Sequence, residues 1–524
     1  MTARSGRRRP PLLLALPAGL VIALLLLPLT YLVVRAAGGG GRAWRVLGRQ
    51  NTLELVLQTG ALVLAVTAAT IAVGVPLAWL VTRTDLPGRR FWAVAAALPL
   101  VIPSYVAAFC LLGAFGPRGL LQKILGVERL PEIYGFWGAL AALTLSTYPF
   151  VFLLTAAALR GLDPALEEAS RGLGRSRLHT FVSVTLPALR PAIGSGALLV
   201  ALYTLSDFGV VSLMRYEALT RAIYLQYRSL FDRAPAAVLA LVLVALTALI
   251  VAGEARTRRR GAFRSGPGTA RRAPTAALGP WKVPALAFCA TVATFFLIVP
   301  AAVLGYWLVR GIELSRPLGF PWEEAAHSLL ASSLAAAVAV AAALPVAVLA
   351  RRFPTWWTRG FERTAYSANA LPGIVIALSL VFFAARYLTP LYQTLALLVF
   401  AYVVRFFPQA LAGVDSALAG VSPRTEEAAR SLGRSHLATL ASVTVPLLRS
   451  GLGAGAALVF LSAMKELPAT LLLRPIGFDT LATDIWRFTA VGAYSRAALP
   501  ALVLIAVSAP FLYLVSKDRR PGVE

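Results

Sequence analysis

Two adjacent glutamates, Glu167-Glu168, recur 259 residues later as Glu426-Glu427. Three further ionisable residues, Asp207 and the pair Lys465-Glu466, interrupt apolar stretches, and the same offset aligns Asp207 with Glu466. Ionisable residues set within apolar stretches are costly in lipid and usually face a protein interior or an aqueous cavity. The pattern of an enzyme is missing: no carboxylate pair stands beside a nucleophile, and no metal-ligand spacing or cofactor motif occurs. Cys110 and Cys289 lie in apolar runs without a CxxC pair, and the chain has three histidines, which argues against a zinc site or a disulfide framework. No G-x4-G-K-[ST] phosphate loop is found, so the chain is not expected to bind or hydrolyse ATP itself, and no cofactor is expected on it.

The elements that must position these residues are set by composition. Hydrophobic residues make up 58% of the chain and charged ones 14%, and apolar runs of membrane-spanning length recur. This predicts an all-α polytopic membrane protein. Spans are expected near 12–35, 55–82, 91–115, 136–159, 192–214 and 235–253, then 283–309, 327–350, 366–386, 391–413, 451–473 and 497–516, twelve helices in two sets of six. The net charge of +27 lies mostly in short loops, where it orients a membrane protein, so nucleic acid is not an expected partner. Arg4 and Arg7 to Arg9 precede a first apolar run read as a retained span. Alternate connections carry Arg83, Arg89, Arg90 and the basic run from Arg256 to Lys282, which places them, with both termini, in the cytoplasm.

Residues 254–282 lack apolar periodicity and read as a basic cytoplasmic linker between modules 1–253 and 283–524. The prolines support duplication: Pro76 and Pro345, then Pro103 and Pro372, are 269 apart, whereas Pro149 and Pro408 are 259 apart. Ten extra residues therefore fall between the third and fourth spans of the first half. Six helices separate the repeated segments, so the halves form a parallel repeat about an axis along the membrane normal.

Sixteen of 24 positions are identical between 167–190 and 426–449. Asp163-Pro164 and Ser422-Pro423 are helix-start signals, and Gly174 and Gly433 mark the expected ends. A second helical stretch should run from Ser176 to Pro187, and from Ser435 to Pro446, giving a helix-turn-helix at the membrane surface. The four glutamates fall in first turns, where they also suit the helix dipole. The pattern Glu-Ala-(Ala/Ser)-x3-Gly-x9-Val-Thr-(Leu/Val)-Pro, from Glu168 to Pro187 and from Glu427 to Pro446, resembles the EAA loop of ABC-importer permeases of the binding-protein-dependent type. The resemblance implies that Glu167, Glu168, Ala169, Gly174 and Pro187, with Glu426, Glu427, Ala428, Gly433 and Pro446, form coupling helices that dock on a cytoplasmic ATPase. Ser170 departs from the family's third alanine.

Asp207, Lys465 and Glu466 lie within the spans that follow these loops. Counting from Ser450 at about 1.5 Å per residue places the pair roughly 22 Å from the cytoplasmic end. Such charges are costly in lipid and mark pathway or gate candidates, or else they brace one another or pair with Arg215 and Arg474. The stretch Met464 to Leu471, with Arg474-Pro475 and Asp479 to Leu481, is similar to fused two-module ferric-iron permeases. The resemblance implies a type I importer fold in a bacterial inner membrane, two ATPase copies that bind ATP and magnesium, and a periplasmic or lipid-anchored binding protein. Related permeases carry thiamine, phosphonate, sulfate or polyamines. An ion-coupled secondary transporter would share twelve helices in two parallel halves but leaves the doubled loop unexplained.

Overall fold

Where lipid offers no hydrogen-bonding partner, each apolar run must satisfy its backbone within itself, which leaves helices as the available form for these sequences. The computed structural model describes residues 11–116, 119–128, 130–228, 233–260, 275–313, 319–368 and 371–517. Among them the fold is all-α, with no strand beyond an isolated bridge between Thr84 and Ala276. Ten helical stretches are long and apolar enough to cross a membrane, and two shorter apolar helices, Gly373–Tyr387 and Tyr494–Pro510, occupy the ninth and twelfth expected places.

The main helices of the first half are α1 (Leu12–Gly38), α2 (Gln50–Arg83), α3 (Arg89–Ala97), α4 (Ser104–Phe115), α5 (Phe136–Gly161), α6 (Ala165–Gly172), α7 (Leu186–Ser206), α8 (Gly209–Leu213), α9 (Leu219–Arg228) and α10 (Ala234–Arg260). In the second half α11 (Lys282–Ala293) runs through a π turn into α12 (Val299–Glu313). There follow α13 (Trp322–Arg352), α14 (Trp356–Ser367), α15 (Gly373–Tyr387), α16 (Leu395–Gly420), α17 (Pro423–Ser431), α18 (Val445–Met464), α19 (Pro468–Leu473), α20 (Leu481–Ala490) and α21 (Tyr494–Lys517).

Four expected spans are not continuous. The run 91–115 is divided into α3, a 3-10 turn at Leu98–Val101 and α4, and 366–386 is divided between α14 and α15. Pro103 and Pro372 precede α4 and α15 with extended backbone, as proline at a helix start permits. The runs 192–214 and 451–473 break after Ser206 and Met464, where the chain turns into the short helices α8 and α19. Hydropathy averages over such breaks, so each of these runs looks like a single span in the sequence.

The first helix of each half packs on the other half. Ser379 of α15 donates to the Pro28 carbonyl of α1 (2.5 Å), and Cys110 of α4 donates to the Pro300 carbonyl of α12 (3.7 Å). Ser379 and Cys110 are 269 residues apart, so one exchange is made twice. The indole of Trp307 reinforces the second crossing by donating to the Gly113 carbonyl (3.0 Å). Within each half, the spans before and after the repeated segment cross closely. A Cβ at Gly196 would lie 2.9 Å from the Val151 Cα, and one at Gly413 would lie 2.6 Å from the Gly455 Cα. Small residues at such crossings let helices approach without an apolar driving force.

The described residues show local structure at both ends of the expected linker. α10 runs on to Arg260, so 254–260 continue the helix beyond the sixth span, which ends at Gly253, while 261–274 lie outside the described residues. Residues 275–282 are pinned to the first half: Ala276 N–H donates to the Arg83 carbonyl (2.8 Å), Asp85 N–H to the Ala276 carbonyl (3.2 Å), and Lys282 pairs with Asp85 (2.8 Å). The hydrogen bond from Lys282 holds the Asp85 carboxyl below its ordinary range. A lowered carboxyl contributes its stabilisation at neutral pH, and the contribution is lost only as pH falls through the lowered value. Asp85→Asn is expected to accelerate tryptic cleavage after Lys282 several-fold at neutral pH, as followed by mass spectrometry; an unchanged rate would show that the two backbone bonds suffice.

Candidate functional site

The repeated segments form near-equivalent hairpins of helix. Asp163 accepts from the Ala165 N–H (2.9 Å) and Ser422 from the Arg424 N–H (3.3 Å), as their start signals require. The turns use Gly174 at φ 78° and Gly433 at φ 85°, backbone that a Cβ disfavours. Each second arm does not stop at the proline as expected. It passes through a π turn, Phe181–Thr185 or Leu440–Thr444, straight into α7 or α18, with Pro187 and Pro446 in the first helical turn beyond. Loop and span are thus one continuous rod. Ser170, the departure from the family pattern, lies within hydrogen-bond distance of the Thr180 hydroxyl across the hairpin (3.0 Å).

The two glutamates of each pair differ. Glu167 accepts from the Thr185 hydroxyl (2.8 Å) and lies 3.9 Å from the Arg83 guanidinium at the end of α2. Glu426 accepts from Thr444 (3.2 Å) and from two nitrogens of Arg352 at the end of α13 (2.8 and 3.2 Å). The same arginines reach the Leu162 and Val421 carbonyls that close the preceding spans (3.4 and 3.0 Å). Glu167 and Glu426 therefore face inward and brace the loop against its own half. Glu168 and Glu427 are exposed, as are Ala169 and Ala428. Leu173 and Leu432, not singled out from the sequence, stand 82% and 84% exposed beside the turn glycines.

The intramembrane charges sit where helices break. Asp207 follows α7 and accepts from the Val210 N–H that opens α8 (2.8 Å) and from the Ser104 hydroxyl at the start of α4 (2.5 Å). At the aligned place, Glu466 accepts from the Ala469 N–H (3.3 Å) and pairs with Arg405 of α16 (2.9 Å). Both carboxylates thus satisfy backbone donors that a broken helix exposes. The neighbours differ with carboxylate length. A Cβ at Gly373, aligned with Ser104, would come 2.5 Å from Glu466 Oε1 and 2.8 Å from an Arg405 nitrogen, so glycine clears the room the longer pair needs. Lys465 crosses to the first half and donates to the Leu100 carbonyl in its 3-10 turn (3.0 Å).

Among the described residues, Asp207, Lys465 and Glu466 pair neither with one another nor with Arg215 or Arg474. Arg474 pairs with Asp479, and Arg215 lies over the Tyr134 ring (4.8 Å). Arg405 was passed over although it is the only charged residue in the apolar run 391–413. That was the available signal. Ser104 carried none, because a serine in an apolar helix normally bonds to its own backbone. Among the described residues, no group of three or more His, Cys, Asp and Glu is placed to hold a metal ion. Arg405→Ala leaves the Glu466 carboxylate buried without its cation, which costs about 3–5 kcal/mol. Asp207→Asn keeps a hydrogen-bonding side chain at its break and should cost about 1 kcal/mol. Thermal unfolding in detergent should rank them so, and equal losses would contradict the assigned pairing.

Comparison with known proteins accords with this arrangement. The family model described as "Binding-protein-dependent transport system inner membrane component" matches residues 74–260 and 339–517, once in each half. The chain is 36% identical over 523 residues to the Fe(3+)-transport system permease protein FbpB 2 of Haemophilus influenzae, covering 97% of this chain and 99% of that one. It is 30% identical to the sulfate transport system permease protein CysT of Salmonella typhimurium over 48% of this chain and 94% of that one. A probable molybdenum ABC transporter permease of Haloferax volcanii is 32% identical over 38% of this chain and 75% of that protein. With a doubled family match and two apolar helical halves, the chain belongs to the binding-protein-dependent transport family and is a multi-pass inner-membrane permease of the ABC-importer type.

Proposed function

We propose that this chain carries ferric ion inward across the membrane for a transporter driven by two copies of a separate ATPase. A periplasmic or lipid-anchored binding protein delivers the ion, the ATPase binds ATP and magnesium, and both termini and both repeated hairpins face the cytoplasm. The chain itself is no enzyme and holds no cofactor. The division into modules 1–253 and 283–524 is part of this reading. The observation that carries it is the doubled hairpin, with an inward glutamate that braces it and an outward glutamate and leucine left exposed. Glu168 and Glu427 supply polar contacts to the ATPase, while Leu173 and Leu432 enter its apolar groove.

Asp207, Lys465 and Glu466 act as the gate, at the breaks where the halves meet. Ferric ion is favoured because the Fe(3+) permease matches along the whole chain, whereas the sulfate and molybdenum permeases match half of it or less. A pathway need not hold a strong ligand set, since tight ligation would trap the ion. An oxyanion is the second reading. It is favoured by Lys465, whose ammonium is bonded to a carbonyl and has no carboxylate pair among the described residues.

The deciding experiment is uptake of radioactive iron into proteoliposomes holding the permease, its ATPase and its ferric-loaded binding protein. Uptake should require ATP, ignore imposed proton and sodium gradients, and persist in excess sulfate and molybdate. Gradient-driven uptake without ATP would instead make the chain a secondary transporter. The quadruple variant Glu168→Ala, Glu427→Ala, Leu173→Ala, Leu432→Ala should lose co-purification with the ATPase by tenfold or more; undiminished association would remove the docking assignment.

A further inference from the structure

We propose that Arg83 and Arg352 are positioning residues that transmit motion of the docked hairpins into the membrane-spanning body. The inference rests on the docking role proposed above but concerns residues outside the repeated segment. The two arginines align between the halves, and in the seven-residue windows 82–88 and 351–357 no other position matches. The geometry nonetheless recurs. Each guanidinium reaches the carbonyl that closes the span before the hairpin, Leu162 or Val421, and the inward glutamate of the hairpin, Glu167 or Glu426. That glutamate in turn accepts from the threonine where the rod into α7 or α18 begins, Thr185 or Thr444.

One arginine therefore joins the end of the second span, the end of the fourth and the start of the fifth. A planar guanidinium offers several donors in fixed directions, which suits a joint between three elements better than a single ammonium. The fifth spans end at Asp207 and Lys465, the helix breaks, so the joint stands at the near end of the rods that lead to the gate. The arginine side chains are largely buried, 7% and 13% exposed, so they are held by the protein and do not offer a docking face. The halves differ in tightness: Arg352 bonds Glu426 directly at 2.8 Å, while Arg83 stands 3.9 Å from Glu167. Without the arginine, the hairpin can follow the ATPase while the body does not.

The test uses the full permease with its ATPase in nanodiscs, carrying spin labels in two pairs. One pair replaces the exposed, aligned Ser183 and Ser442 on the hairpins; the other replaces the exposed, aligned Glu217 and Ile476 at the opposite side. The native Cys110 and Cys289 are buried. In the parent, trapping ATP with vanadate should shift both distances. In Arg83→Ala, Arg352→Ala, the ATPase should still co-purify and the hairpin distance should still change, while the change across the outer pair is lost; lysine at both positions should restore it in part. An outer change of parental size would overturn the proposal. So would loss of ATPase association, which would make the arginines part of docking. If the double alanine variant does not fold, Glu167→Gln, Glu426→Gln keeps the threonine bonds while removing the ionic partner, and is judged by the same two distances. Failure of the docking reading itself would appear separately, as undiminished ATPase association when the exposed glutamates and leucines are replaced.

Discussion

A helix that breaks inside a membrane exposes N–H and C=O groups that lipid cannot satisfy, and each such group costs several kcal/mol if left alone. This fold accepts a break in the third and fifth spans of both halves, and the local chemistry follows from that. Asp207 and Glu466 accept the N–H groups of Val210 and Ala469, which open the short helices beyond the breaks. Lys465 donates to the Leu100 carbonyl of the opposite half. The carboxylates are then themselves buried and need partners, which Ser104 and Arg405 provide. A group that began as a cost to the backbone becomes a charged cluster, and the exchanged first helices hold the halves together around it.

The same economy of groups operates at the end bearing the repeated loops. An adjacent pair of glutamates divides its labour because neighbouring helix positions face different ways. One is turned toward an arginine and a threonine of its own half, and its companion is left in solvent. Continuity of the second arm with the following span turns a surface hairpin into the head of a rod whose far end is a helix break. Two sites, the hairpin and the break, are thereby attached to one element in each half. The pinned segment 275–282 bonds to the Arg83 carbonyl and to Asp85 directly after it, and so ties this stretch to the first half.

Most of the architecture was legible in the sequence, because hydropathy reports burial in lipid and the fixed offsets report duplication. The repeated loop was legible for the same reason: its caps and turn glycines act locally, through Asp163, Ser422, Gly174 and Gly433. The breaks were not. Pro103, Pro372 and Pro468 stand at three of them, but proline is compatible with continuous membrane helices such as those holding Pro149 and Pro408. Partner choice was equally hidden, since Glu466 could have paired with Arg474 across the short helix and instead takes Arg405 from a span far away in sequence. Adjacency alone does not distinguish Glu167 from Glu168; Arg83, 84 residues before Glu167, does.

If the helix breaks are the gate, they must part when a docked ATPase closes. The most direct measurement is a pair of cryo-electron microscopy structures of the permease with its ATPase, one nucleotide-free and one trapped with ATP. The bond between Lys465 and the Leu100 carbonyl, 3.0 Å here, should be present in one state and broken in the other, while Arg352 and Glu426 stay paired in both. A Lys465 bond intact in both states, with a passage opening elsewhere, would contradict a gate at the breaks.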